Sequence, residues 1–127
     1  MPSSFGLAKL GQISMRATDL PRAVGFYRDT LGIPFLFEVP RMAFFDLAGV
    51  RLMLGEPERP EHDHPGSVLY FDVPDIESAH TELRARGVSF EGEPHLIAKM
   101  PDHDLFMAFF NDSEGNLLAL MSEVRKH

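Results

Sequence analysis

"MAFFDLAGVRLML" at 42–54 and "MAFFNDSEGNLLAL" at 107–120 open on the same four residues, pass through a turn holding Gly49 or Gly115, and end in a short apolar strand. An identical string followed by the same local plan is the mark of an internal duplication. The echo continues upstream. "GQISMRATDLPRAVGFYRDTLGIPF" (11–35) aligns with "SVLYFDVPDIESAHTELRARGVSF" (67–90) with one residue dropped, so that Asp19 meets Asp75, Gly32 meets Gly87 and Phe35 meets Phe90. Between the copies lies "GEPERPEHDHPG" (55–66), rich in proline and charge as a linker is.

Each copy reads as the same series of elements. "QISMRAT" alternates as a half-buried strand, with Ile13, Met15 and Ala17 on one face and Gln12, Ser14 and Arg16 on the other. Asp19 is placed to cap a helix whose Leu20, Ala23, Val24, Tyr27 and Leu31 keep helical spacing, and Gly32 supplies its left-handed stop. Strands follow near 34–39, 41–47 and 50–55. The second copy predicts a strand at 67–73, a helix capped by Asp75 through Ile76, Ala79 and Leu83 to the stop at Gly87, then strands near 88–99, 104–111 and 116–122. The fold class is therefore α+β: two tandem βαβββ modules forming a curved mixed sheet, helices on one face and a concave groove on the other. The chain is expected to be one domain over 1–127, with module one at about 5–55, a linker at 56–66 and module two at about 67–123.

Composition narrows the function. The chain has 127 residues, no cysteine and a formal charge of −7. Lack of cysteine removes disulfides and thiolate metal sites and suits a reducing, cytoplasmic setting. The negative charge argues against nucleic acid as a partner. "MPSSFGLAKL" has no signal-peptide pattern, and the longest apolar run, "LFMAFF" at 105–110, is too short to span a bilayer. A membrane partner is not expected.

The duplicated pattern resembles the vicinal oxygen chelate superfamily of glyoxalase I, bleomycin-resistance proteins, fosfomycin-resistance enzymes and extradiol dioxygenases. The resemblance covers about residues 7–123 and rests on the two long strings above and on "FFNDSEGNLLALM". It implies a metal on the pseudo-twofold axis, held by one residue from the first and one from the last strand of each module. Those positions here are Gln12, Met53, Val68 and Ala119. An amide, a thioether, an isopropyl group and a methyl lack the anionic or imidazole donors that a divalent ion needs, so no metal and no other cofactor is expected there. In glyoxalase-like members the last position carries a carboxylate that is both ligand and base. Ala119 would remove both functions together.

Strand alternation then places Ser14, Arg16, Arg51, Tyr70, Asp72, Leu117 and Met121 beside those four in the groove, an apolar centre with polar ends suited to a small molecule. Arg16 is the candidate contact for a ligand anion, with pairing to a neighbouring carboxylate as the alternative. Of the histidines, His80 and His127 read as solvent-facing or rim residues, and His62 and His64 sit in the linker turn. His95 and His103 flank the loop "KMPDHDL". With Asp102 and Asp104, His103 is the candidate catalytic base, or part of a displaced metal site, against a reading of that loop as a turn held by its aspartates.

Two functions follow. One is a metal-free protein, similar to the bleomycin-resistance branch, that holds a small molecule in the groove. The other is a lyase, isomerase or dioxygenase of the same superfamily using a non-standard site near His95 and His103. Open sheet edges and an apolar concave face, together with the resemblance, predict a homodimer.

Overall fold

The computed structural model describes residues 7, 9–57 and 66–126. The alternation of "QISMR" becomes strand β1 (Gln12–Arg16). Asp19 caps α1 (Leu20–Gly25), its side chain accepting from the Arg22 amide, and Pro21 fits the first turn, where its missing N–H costs nothing. The helix ends in a π-helical turn (Phe26–Thr30), closed by Leu31 N–H donating to the Phe26 carbonyl. Gly32 follows at φ 74° as the left-handed stop. Strands β2 (Phe35–Val39), β3 (Met42–Leu47) and β4 (Val50–Gly55) complete the first module.

The second module repeats the plan with β5 (Leu69–Asp72), α2 (Ile76–Ala85), β6 (His95–Lys99), β7 (His103–Asn111) and β8 (Leu117–Arg125). Asp75 caps α2 through the Ser78 amide, matching Asp19, and Gly87 stops the segment at φ 92°. The two modules form two four-stranded mixed sheets of the same order, β1-β4-β3-β2 and β5-β8-β7-β6. In each, the first strand runs parallel to the last, and the remaining pairs are antiparallel.

Duplication extends to the register. Phe44 faces Met53 in the first sheet as Phe109 faces Ala119 in the second, and Ser14 pairs with Met53 as Tyr70 pairs with Ala119. Alternation sends Met15, Leu52, Leu54, Phe45 and their counterparts Leu118, Leu120 and Phe110 into a single buried cluster that draws on both modules and both helices. No helix among the described residues is long and apolar enough to cross a membrane.

Two local expectations are corrected. The strand expected at 88–99 starts only at His95. Phe90 makes an isolated bridge to Phe110, and the segment then passes Gly92 and Pro94, the one lacking a side chain to pack and the other an amide to donate. His80, expected in solvent or at a rim, is 3% exposed. It follows Ile76 by one helical turn on the buried face of α2 and lies against the Phe90 ring, 4.3 Å between centroids.

A polar clasp joins the modules. Tyr27 Oη donates to Asp112 Oδ2 at 2.6 Å. Glu114, with no exposed side-chain area, accepts at Oε1 from the Thr18 and Asp19 amides, both at 2.8 Å, and at Oε2 from Arg22 Nε at 2.8 Å. Asn116 Nδ2 donates to the Arg16 carbonyl at 2.9 Å. Thus the turn "NDSEGN" (111–116) is fixed against the end of β1 and the start of α1.

Candidate functional site

The face of each sheet turned away from the core carries the residues singled out in the sequence. In the first sheet these are Gln12, Ser14 and Arg16 on β1 with Arg51 and Met53 on β4. In the second they are Tyr70 and Asp72 on β5 with Leu117, Ala119 and Met121 on β8, and Val68 just before β5 keeps the same parity. The two sets lie on separate sheets. Within the first, the Gln12 amide donates to the Met53 sulfur at 3.7 Å. Ser14 is exposed, and Arg16 is half-buried at the strand's end.

Aromatic rings that sequence reasoning passed over dominate both faces. In each "MAFF" the second phenylalanine, Phe45 or Phe110, enters the core, so the first is turned to the opposite face. Strict alternation contained that signal. Phe37 and Phe44 stack at 4.6 Å, and the Arg51 guanidinium lies 5.5 Å from the Phe44 centroid and 5.9 Å from that of Phe37, a cation–π arrangement. In the second sheet Tyr70 and Phe109 are the cross-strand neighbours of Ala119 on either side, and their rings meet edge to face at 6.3 Å. Ala119 consequently has no exposed surface, whereas Tyr70 stays 47% exposed. The small residue is where two rings close.

The loop histidines take different places. His95 is exposed on β6, its Nδ1 3.2 Å from the Glu93 carbonyl oxygen. His103 begins β7, with Nδ1 2.8 Å from Asp102 Oδ1 and Nε2 3.8 Å from Glu123. The His103 hydrogen bond holds the Asp102 carboxyl below its ordinary range. Lys126 stands 3.5 Å from Asp104. The β6–β7 register pairs His95 with Met107 and Lys99 with Asp104, so the two histidines occupy opposite ends of the hairpin, on the order of 13 Å apart along the strand. His62, His64 and His127 lie outside the described residues. Among the described residues, no group of three or more His, Cys, Asp or Glu side chains is arranged to hold a metal ion.

Glu114 has the most strongly defined electrostatics. Burial pushes its pKa up, but hydrogen bonds from Arg22, the Asp19 amide, Ser113 and Thr18 outweigh that and hold it at about 2. Its role is structural, since every one of these donors belongs to the clasp or its turn.

Tandem βαβββ modules of matching register, with helices on one side and residue-lined concave faces on the other, define a protein of the vicinal oxygen chelate class. The chain belongs to the Glyoxalase/Bleomycin resistance protein/Dioxygenase superfamily, whose family model matches residues 9–120. It is 28% identical over 126 residues to YraH of Bacillus subtilis (strain 168), covering 88% of this chain and 96% of the relative. A member of the superfamily from Sphaerobacter thermophilus DSM 20745 has the same fold at TM-score 0.78 and 24% identity, covering 92% of this chain and 98% of that one. TnmS3, an antibiotic binding protein from Streptomyces sp. CB03234, matches at TM-score 0.73 and 24% identity over 94% of this chain and 98% of its own.

Proposed function

We propose that the protein binds a small organic molecule in the groove between the concave faces and does so without a metal at the pseudo-twofold axis. The observation that carries this reading is that Tyr70 and Phe109, the cross-strand neighbours of Ala119, meet edge to face beside it, which leaves a methyl flanked by two rings at the position the resemblance assigns to a carboxylate. The companion positions support it. Gln12 offers one neutral amide already engaged with the Met53 thioether, and Val68 offers no donor at all, so this set does not fit a divalent ion. Exposed Tyr70 and Leu117, and the Arg51-covered pair Phe37 and Phe44, supply instead the flat apolar and π surface that holds an aromatic or polycyclic ligand. The structural likeness to an antibiotic binding protein agrees with a sequestering role.

The two faces lie on separate sheets with β1 and β5 at their edges, and a homodimer that apposes the first sheet of one copy to the second of its partner completes the groove. A cytoplasmic location suits the cysteine-free chain.

Thermal-shift screening of an antibiotic and metabolite panel, with and without zinc, nickel, manganese and iron, tests the reading, because a ligand that binds only the native state raises its melting temperature. Stabilisation by an aromatic ligand in chelator is expected. Stoichiometric metal retained through purification, or ligand binding that needs added metal, overturns it. Light scattering across a dilution series checks the dimer, and a constant monomer mass refutes it.

A further inference from the structure

The two inter-module junctions are related by the duplication yet built from opposite chemistry. The turn after β7 reaches the first module through Asp112, Glu114 and Asn116, which engage Tyr27, the Thr18–Arg22 segment and the Arg16 carbonyl. The corresponding turn after β3 is "DLAGV" (46–50), with Leu47, Ala48 and Val50 in place of the polar residues. The alignment that matches Asp19 with Asp75 also puts Ser78 where Arg22 stands and Leu83 where Tyr27 stands. No polar clasp of this second kind can form.

In its place is a cleft of about 460 Å³. Its apolar lining is Leu47, Ala48 and Val50 of the first module's turn and strand, Leu69 and Phe71 of β5, and Ile13 and Ile33. Most of these apolar residues are packed on the shared core, so the floor is held in place before any ligand arrives. Two carboxylates, Asp46 and Asp72, also line it, together with Tyr70, and no Lys, Arg or His is among the described lining residues. Asp46 Oδ1 accepts from the Gly49 amide at 2.9 Å, which fixes this carboxylate at the turn.

We infer that this cleft is a second small-molecule site, at the edge of β5 where Tyr70 and Asp72 also border the concave face, whose ligand is an amphipathic organic cation with an apolar or aromatic body and one ammonium group. The volume is that of an ordinary small-molecule pocket, within about 300–1,000 Å³. The walls accept the apolar body. The ammonium is recognised by the two carboxylates, which repel an anion. A chain of net charge −7 draws a cation toward this opening and disfavours a carboxylate.

Methyl-labelled protein titrated with phenethylammonium, and in parallel with 2-phenylethanol and phenylacetate, tests the assignment by NMR. Saturable shifts of the Ile13, Val50 and Leu69 methyls are expected with the ammonium, with affinity for the alcohol and the acid weaker by roughly tenfold or more, the scale of a lost charged hydrogen bond. Asp46→Asn keeps the oxygen that accepts from Gly49 and should weaken ammonium binding several-fold while leaving the spectrum folded. Equal affinity for alcohol and ammonium, unchanged affinity in Asp46→Asn, no saturable shift, or shifts confined to the Met53 and Met121 methyls each overturn it. The last of these patterns reports the concave faces, so failure here and failure of the groove reading are separately visible.

Discussion

The Tyr27 hydroxyl and Asp112 Oδ2, 85 residues apart in the chain, meet at 2.6 Å in the buried boundary between the modules. Asp112 also accepts from the Glu114 and Asn116 amides at Oδ1 and from Asn116 Nδ2 at Oδ2, so its carboxylate has four donors. Burial first, and then the adjacent Asp112 charge, drive the Tyr27 hydroxyl's pKa well above its ordinary value, which keeps it a donor at every physiological pH. Tyr27→Phe leaves the ring packing and removes one charged hydrogen bond. A loss of about 1–3 kcal/mol in urea unfolding is expected. An unchanged midpoint would show that the clasp holds without it.

Glu114 makes the clasp sensitive to acid. Its folded pKa of about 2 lies below the usual carboxylate value of 4.5, so the unfolded chain binds more protons between those limits and stability rises with pH there. The contribution is fully present above about pH 4.5 and lost as pH falls toward 2. The expected loss is on the order of 1–3 kcal/mol. Unfolding free energies measured from pH 6 to pH 2 should show the parent losing stability faster than Glu114→Gln, whose neutral side chain has nothing to titrate. Parallel pH profiles for the two proteins would contradict this.

His80 sits against Phe90 with Nε2 buried and without a hydrogen-bond partner among the described residues, while Nδ1 is 3.7 Å from Glu93. Leucine fills a similar volume without a polar atom to desolvate. His80→Leu is expected to be neutral or stabilising by up to about 1–2 kcal/mol. A clear drop in melting temperature would mean that the Glu93 contact is worth more than the buried nitrogen costs.

Much of the fold was legible because the chain states it twice. Both aspartate caps, both glycine stops and the order βαβββ followed from aligned copies, and even the equivalence of Met53 and Ala119 reappears in the strand register. What was not legible depends on contacts distant in sequence. Glu114 meets Arg22 across 92 residues, and neither residue type nor local spacing points to the other. His80 was misread because its polar ring outweighed a helical position that faces Phe90, and the separation of His95 from His103 follows from a hairpin register that loop composition does not encode. The phenylalanines beside Met53 and Ala119 were within reach, since the burial of one residue in "FF" turns the other outward.

Ala119 offers the most direct test of the groove. It is closed over by Tyr70 and Phe109, and in the duplicated register it stands where Met53 stands in the first sheet. If Gln12, Met53, Val68 and Ala119 converge in the assembled groove, the triple variant Met53→Glu, Val68→His and Ala119→Glu surrounds one point with an amide, two carboxylates and an imidazole. That donor set suits zinc or nickel and leaves room for water. Without metal, the carboxylate at 119 must part the two rings and remain poorly solvated, so the variant should be less stable than the parent by roughly several kcal/mol. Metal should restore that stability, because deprotonated donors and a bound cation satisfy each other. Calorimetry should show tight binding of one metal per groove in the variant and none at this place in the parent. A variant that binds metal no better than the parent would mean that the four positions do not converge, and the Tyr70–Phe109 closure over Ala119 would then be packing within a single sheet.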